Sequence, residues 1–188
     1  HTSWTLTSVD FTNGPFMDHN IETTTMTASH TNKGQTGTLT ISSTTGVNSN
    51  QGWLSTDVGR LVHMLDGHVK ITGYTSSTVV NMEVLSDISN GSATTDFALG
   101  SFSSTTGHPS CVTFFEQRLV FAATLSQPQT LFFSKSGDYE NMDDGYHETV
   151  ADDDSIIYTI ASNQVNAIRF MTATRTLIIG TAGGEFAV

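Results

Sequence analysis

Three consecutive aspartates, Asp152-Asp153-Asp154, seven histidines and a single cysteine are the residues of this chain best suited to chemistry. A calcium site needs several oxygens converging from fixed offsets, often around a glycine at a sharp turn. Consecutive residues entering a strand point to alternate faces. The three aspartates are therefore expected to form a solvated turn that interrupts an apolar edge. The histidines (His1, His19, His30, His63, His68, His108 and His147) show neither HxxxH nor HExxH spacing. His63 and His68 flank Asp66-Gly67 and are expected to face each other across a hairpin, but two ligands do not close a zinc site. Cys111 opens the apolar run Cys111 to Phe115 and is expected as a small buried hydrophobe. One cysteine cannot form a disulfide within the chain.

Hydrolytic chemistry finds no better footing. Glycoside hydrolysis needs two carboxylates held at a set distance across a sugar. Asp138, Glu140, Asp143 and Asp144 share one loop, where carboxylates usually bond their own turns. There is no GxSxG nucleophile elbow and no GxxxxGK[ST] phosphate loop. The expectation is a protein that is not an enzyme, with no catalytic residue, no cofactor and no metal.

Lys plus Arg number 7 against 18 Asp plus Glu, a formal net charge of −11. Nucleic-acid binders displace counterions with clustered Lys and Arg, and this chain lacks the residues for such a patch. The acidity reads as plain solubility or, more sharply, as a surface that DNA passes without sticking. Charged residues make up only 13%, against about 25% in an average soluble domain. Ser, Thr, Asn and Gly take their place, which suits strands and polar turns. The 11 phenylalanines supply a core. No apolar run reaches the length of a membrane helix, and no signal peptide is visible. The chain opens on His1 and closes on Gly183-Gly184-Glu185-Phe186-Ala187-Val188, which reads as a strand just begun; a fragment of a longer protein is expected.

Helical periodicity is nearly absent and strand periodicity is frequent. Trp4-Thr5-Leu6-Thr7 alternates, and Asn13-Gly14-Pro15 makes a turn. Ile21 to Ala28 is a Thr-rich extended run. Gly37 to Ser42 alternates with period two. Arg60 to Leu65 and His68 to Tyr74 meet at Asp66-Gly67, a strong hairpin signal because both turn residues tolerate positive φ. Thr78 to Val84 follows. Two polar stretches, Ser29–Thr36 and Ser86–Thr95, read as linkers around this block. The chain divides accordingly into N-terminal strands of a platform or propeller region (1–36), an inserted small β-barrel (37–85) and propeller-like blades (86–188).

The last of these regions holds two similar stretches. Val112 to Phe115, a turn ending at Arg118, and Leu119 to Ala123 form a hairpin, and Thr130 to Ser134 follows it. Ser155 to Ile160 is a further strand. Then Ile168 to Met171, a turn ending at Arg175, and Leu177 to Gly180 form a second hairpin, followed by Glu185 to Val188. Val112 matches Ile168, Phe114 matches Phe170, and Phe132 matches Phe186. The two stretches are either successive propeller blades or unrelated hairpins of a sandwich; their shared order favours blades. The expected fold is all-β and antiparallel, a partial β-propeller or platform with an inserted small β-barrel.

Several segments, taken in order, resemble one family. They are Pro109-Ser110, Val112-Thr113-Phe114-Phe115, Arg118-Leu119-Val120-Phe121-Ala122, Pro128-Gln129, Ser136-Gly137-Asp138-Tyr139, Asp152-Asp153-Asp154-Ser155 and Leu177 to Phe186. Upstream, Asn13-Gly14-Pro15-Phe16-Met17 and Ser55-Thr56-Asp57-Val58-Gly59-Arg60-Leu61-Val62 extend the likeness, with Val69-Lys70-Ile71-Thr72. The family is the tail nozzle, or tail tubular protein B-like, proteins of short-tailed bacteriophages. Ala123, His108 and Asn13 depart from its pattern, where Gly, an aromatic and Asp are expected. The resemblance implies a non-enzymatic virion protein forming a homo-oligomeric ring, usually a hexamer. It would sit below the tail adaptor, hold tail fibres and surround a lumen that double-stranded DNA traverses without specific binding. Relatives in that family are several times longer. It carries over no catalytic residue. Two other classes compete: a receptor- or glycan-binding adhesin module, and a propeller hydrolase with two facing carboxylates in a cleft.

Overall fold

The computed structural model describes residues 5, 9, 11, 13–146, 149–161 and 165–188. His1, Trp4, Leu6, Thr7, His147 and the stretch 162–164 lie outside the described residues, and with them most of the strand expected at Trp4–Thr7. Among the described residues there is no α-helix, and no helix is long and apolar enough to cross a membrane. Thirteen strands of the described residues form three antiparallel sheets. The protein is all-β.

The first sheet joins β1 (Met26–Ala28), β2 (Thr36–Ile41), β3 (Leu61–Met64), β4 (Gly67–Ser76), β5 (Val79–Ser86) and β6 (Phe97–Leu99), in the order β1-β2-β5-β4-β3-β6. It curls like half a barrel. β4 carries register shifts at three places, and such bulges bend a strand and raise its twist. The curl brings β1 around to Thr94, three residues before β6, where Met26 and Thr94 exchange both backbone hydrogen bonds at 2.7 and 2.9 Å. Inside lies a core that includes Met26, Leu39, Val47, Trp53, Val62, Ile71, Met82 and Phe97. Burying each such side chain contributes roughly 1.5–3 kcal/mol.

The sheet takes in more of the chain than the run 37–85. The two polar stretches expected as linkers are stitched into it instead. Ser29–Gln35 turns β1 into β2, and the Ile88 N–H bonds the Thr31 carbonyl at 2.9 Å. The Lys33 N–H bonds Asp87 at 2.6 Å, and the Ser89 N–H bonds Asp66 at 2.7 Å. Ser, Asn and Asp side chains mimic backbone turns as readily as they solvate a linker, so composition alone did not separate the two. The hairpin turn also differs by one residue. The pairs Met64↔Gly67 and His63↔His68 leave Leu65-Asp66 as the turn, with Leu65 at φ 56°. Gly67 lies in the strand, where a Cβ would press on the Asp87 carbonyl.

The second sheet is a four-stranded meander: β7 (Cys111–Phe115), β8 (Arg118–Ala122), β9 (Thr130–Phe133) and β10 (Ile156–Thr159), in the order β10-β9-β8-β7. Glu116-Gln117 turns β7 into β8 with φ of 44° and 61°, the two positive values of a type I′ turn. The third sheet is a three-stranded meander: β11 (Ile168–Ala173), β12 (Leu177–Thr181) and β13 (Glu185–Ala187). The two meanders share one core of Val120, Ala122, Leu131, Phe133, Ile168, Leu177 and Ile179. Their first strands, β7 and β11, lie next to each other, as the inner strands of neighbouring propeller blades do.

The residue matches between the meanders need correction. Val112 is 60% exposed and Ile168 only 2%. A register shift between Ile168 and Phe170 changes the phase of β11, so the two positions face different surroundings. Arg118 opens β8 and pairs with Phe115, whereas its positional partner in the second meander is Leu177, which pairs with Ala173. Arg175 is exposed in the turn.

Candidate functional site

The sequence assigned no site residues, so the candidates come from the packing. The densest polar feature is a buried ion pair. A single 3-10 turn at Ser55–Asp57 precedes Val58-Gly59, and the Arg60 N–H closes back on the Asp57 carbonyl at 2.9 Å. This fold-back brings the Arg60 Nη1 to Asp57 Oδ1 at 3.0 Å, with the two side chains 1% and 0% exposed. Asp57 also accepts from Asn48 Nδ2 at 2.6 Å and from the Leu54 N–H at 2.8 Å. Arg60 donates to the Gly100 carbonyl at 2.8 Å and to Asn48 Oδ1 at 2.8 Å. Burial pushes the Arg60 guanidinium below its ordinary pKa, and Asp57 opposes the shift without cancelling it.

Asn48 is held by a strained loop. Asn48, Ser49 and Asn50 have φ of 48°, 57° and 70°, three consecutive non-glycine residues in the left-handed region. Asparagine tolerates that region better than most residues. Side-chain bonds from the Gly46 N–H to Asn50 Oδ1 (2.8 Å) and from Asn48 Nδ2 to the Gly52 carbonyl (2.9 Å) hold the loop. Val47 anchors it in the core of the curled sheet. Beside this loop lies a cleft of about 460 Å³ lined by Met17, Asp18, Asn48, Ser49, Gln51 and Thr105 among others. Its size suits a small ligand, and its walls mix amide and hydroxyl side chains with the apolar Met17, Leu54, Phe97 and Leu99.

His19 joins the hairpin histidines His63 and His68 from more than forty residues away. His63 and His68 are cross-strand partners, as expected, with ring centroids 5.0 Å apart. Phe16 stacks on His68 at 5.2 Å, and His19 meets His63 edge-on at 5.3 Å. Tyr146 stacks on His19 at 3.5 Å, and His19 Nδ1 lies 3.2 Å from Asp96. The rings meet by faces and edges, an aromatic packing unit. No group of three His, Cys, Asp or Glu among the described residues is placed to hold a metal ion. His30 and His108 are exposed.

The aspartate triplet is not merely a solvated turn. Arg118 is buried at the head of β8 and donates to the carbonyls of Ser134 (2.7 Å), Asp152 (3.0 Å), Asp153 (3.4 Å) and Asp154 (2.6 Å). Asp152 and Asp153 expose their side chains, but Asp154 turns inward. It accepts from the Ala151 N–H at 2.7 Å and from the Lys135 ammonium at 2.7 Å. These two donors, the backbone one foremost, hold its carboxyl below the usual range. Asp143 and Asp144 bond the N–H groups of Gly145 and Tyr146, two residues on. That is turn chemistry, and Asp138 and Glu140 are exposed. Cys111 is half-buried rather than fully buried, and packs on the core shared by the meanders.

Sequence reasoning missed the Asp57–Arg60 pair. The available signal was opposite charges at i and i+3 around a glycine, ahead of an apolar strand in a charge-poor chain. Together these features define an all-β protein of two antiparallel meanders and a curled sheet, whose buried charges brace loops. No protein-family model matches this chain, and no curated protein matches it either.

Proposed function

We propose that this chain is a structural module of a bacteriophage tail, of the nozzle class that rings the DNA exit channel, and that it catalyses no reaction. One observation carries this reading. Three of the segments that resemble the nozzle family lie far apart in sequence but meet at Arg118. The Arg118-Leu119-Val120-Phe121-Ala122 strand begins there, and Asp152-Asp153-Asp154 gives Arg118 its carbonyls. Ser136 and Gly137 close the same node through the Asp153 and Gln117 carbonyls at 2.9 and 2.8 Å. Asn13, ahead of Gly14-Pro15, receives the Met142 N–H at 2.8 Å. Motif residues spent on bracing loops suit a scaffold. The net charge of −11 suits a wall past which DNA slides.

In this reading the protein assembles as a hexameric ring with the tail adaptor and fibres, in the virion. Immunogold labelling of purified particles with an antibody to this chain tests it. Label at the tail tip is expected; particles that carry none refute it. A neutral or basic lumen wall in the assembled ring would remove the DNA-sliding role. The cleft beside Ser49 and Gln51, where amide and hydroxyl groups sit among apolar ones, favours a second reading, a glycan-binding module of a virion. A glycan array probed with the intact protein separates the two, because the scaffold reading expects no sugar bound.

A further inference from the structure

An asparagine followed by glycine can modify itself, because glycine has no side chain to shield its backbone nitrogen. The chain holds two such pairs, Asn13-Gly14 and Asn90-Gly91. The fold treats them differently. Asn90 is exposed in the stretch between β5 and β6, and Gly91 is half-buried. The Asn90 side-chain oxygen accepts the Ser92 N–H at 3.0 Å. That bond closes a local turn, holds the side-chain carbonyl over Gly91 and draws electrons from its carbon. Neither the Asn90 side-chain nitrogen nor the Gly91 N–H has a hydrogen-bond partner among the described residues. The carbon is thus activated, the attacking nitrogen unoccupied and the leaving nitrogen untethered.

Asn13 lacks these conditions. Its backbone carbonyl accepts the Met142 N–H at 2.8 Å, which fixes the peptide unit that would have to turn. The attacking nitrogen there belongs to Gly14, which is buried, with φ 76°. A Cβ on Gly14 would lie 2.8 Å from the Met142 carbonyl oxygen, so the backbone has no room to swing.

We propose that Asn90 is a self-modification site whose co-reactant is water. The Gly91 nitrogen gives up its proton to solvent and bonds to Asn90 Cγ. The Cγ–Nδ2 bond breaks, and the nitrogen leaves as ammonia with a proton from solvent. The cyclic imide that remains takes up water at one of its two carbonyls. Opening at one gives aspartate, and opening at the other gives isoaspartate, with the backbone rerouted through the former side chain. Nothing is oxidised or reduced. Both products place a carboxylate next to Ser89, whose N–H bonds Asp66 at 2.7 Å, and like charges repel. Isoaspartate also adds a methylene to the backbone. The added length falls between two anchors: the Ile88 N–H on the Thr31 carbonyl at 2.9 Å, and the Met26–Thr94 exchange at 2.7 and 2.9 Å. Between them Gly91 packs so closely on the Ala28 carbonyl that a Cβ would not fit. The lengthened chain gives up one of these contacts, and the closure of the curled sheet loosens.

The intact protein is incubated at mildly alkaline pH, digested in acid and mapped by mass spectrometry, with electron-transfer fragmentation separating aspartate from isoaspartate. The peptide holding Asn90 is expected to exchange NH2 for OH about tenfold or more faster than the one holding Asn13. In the urea-unfolded chain the two rates should draw together, because the fold no longer separates them. Asn90→Gln, whose longer side chain closes the ring poorly, should keep its mass and its thermal midpoint through the incubation. The parent midpoint should fall in step with its isoaspartate fraction. An unchanged Asn90 peptide, equal rates for the two pairs in the folded protein, or a ratio that unfolding leaves as it was overturns the site. A parent midpoint that holds as isoaspartate accumulates, or an Asn90→Gln midpoint that falls alongside the parent's, overturns the loosening of the sheet.

Discussion

Replacing Asp57 by Asn tests whether the buried pair governs the stability of the curled sheet. The side chain accepts three hydrogen bonds, from Asn48 Nδ2, the Leu54 N–H and Arg60 Nη1, at 2.6, 2.8 and 3.0 Å. An amide in its place puts an NH2 group against donors and leaves the Arg60 guanidinium charged, buried and uncompensated. Breaking a buried pair from one side costs about 3–5 kcal/mol, a large fraction of the roughly 5–15 kcal/mol that holds a domain folded. Urea unfolding followed by Trp53 fluorescence reads the loss; Trp53 is fully buried in the same core, and a Trp4→Phe background makes it the sole reporter. With a slope of about 1–3 kcal/mol per molar urea, the midpoint drops by on the order of 1–5 M. Arg60→Met keeps the apolar stem and removes the charge. The double variant should lose less than the sum of the single losses by about 1–3 kcal/mol. A single-variant loss under about 1 kcal/mol, with no coupling, would refute the claim that the charges are desolvated together.

Four other outcomes follow from the same structure. Arg118→Met strips the donors from four backbone carbonyls and should cost about 2–4 kcal/mol, with faster amide exchange confined at first to residues 143–155. Asp154→Asn should destabilise at neutral pH and match the parent in acid. The native carboxyl sits below its ordinary 3.8, so its contribution is complete above that value and disappears as pH falls through the lowered one. The Lys135 side of the contact, raised above 10.5, is complete below that value and disappears as pH rises through the raised one; stability measured across pH shows both limbs. Gly52→Ala should cost about 2–4 kcal/mol, because Gly52 has φ 74° and its added methyl would strike the Ser77 carbonyl. Gly34→Ala, at φ 81° with open space around it, should cost only about 1 kcal/mol by thermal unfolding.

The strands were legible because alternation is a local property. Thr36–Ile41 and Arg118–Ala122 announce themselves within six residues. Linkers were not legible, because Ser29–Thr36 and Ser86–Thr95 have the composition of solvated chain while their side chains cap turns within a sheet. What separates the two states is whether Asp87 and Asp66 meet backbone N–H groups many residues away, and periodicity carries no such information. The histidine pair at 63 and 68 could be read from its hairpin, but His19 and Phe16 join it through tertiary packing. The same limit hid Arg118: a lone arginine before an apolar strand looks like a solvated turn residue until four carbonyls close around it.

The curled sheet also has a mechanical property. Residues 15–20 run antiparallel to residues 97–101, tied at Ser101 to Pro15, Met17 to Leu99 and Asn20 to Phe97, each at 2.8 Å. The chain therefore enters and leaves the sheet through a two-stranded neck. Tension applied along the polypeptide at residues 14 and 102 pulls the two sides of that neck apart. Its hydrogen bonds are loaded one after another, like a zip. One side of the neck is β6 itself, paired with β3 and tied through Gly100 to the Leu61 carbonyl and the Arg60 guanidinium, so opening the neck hands the load directly to the sheet and its buried charges.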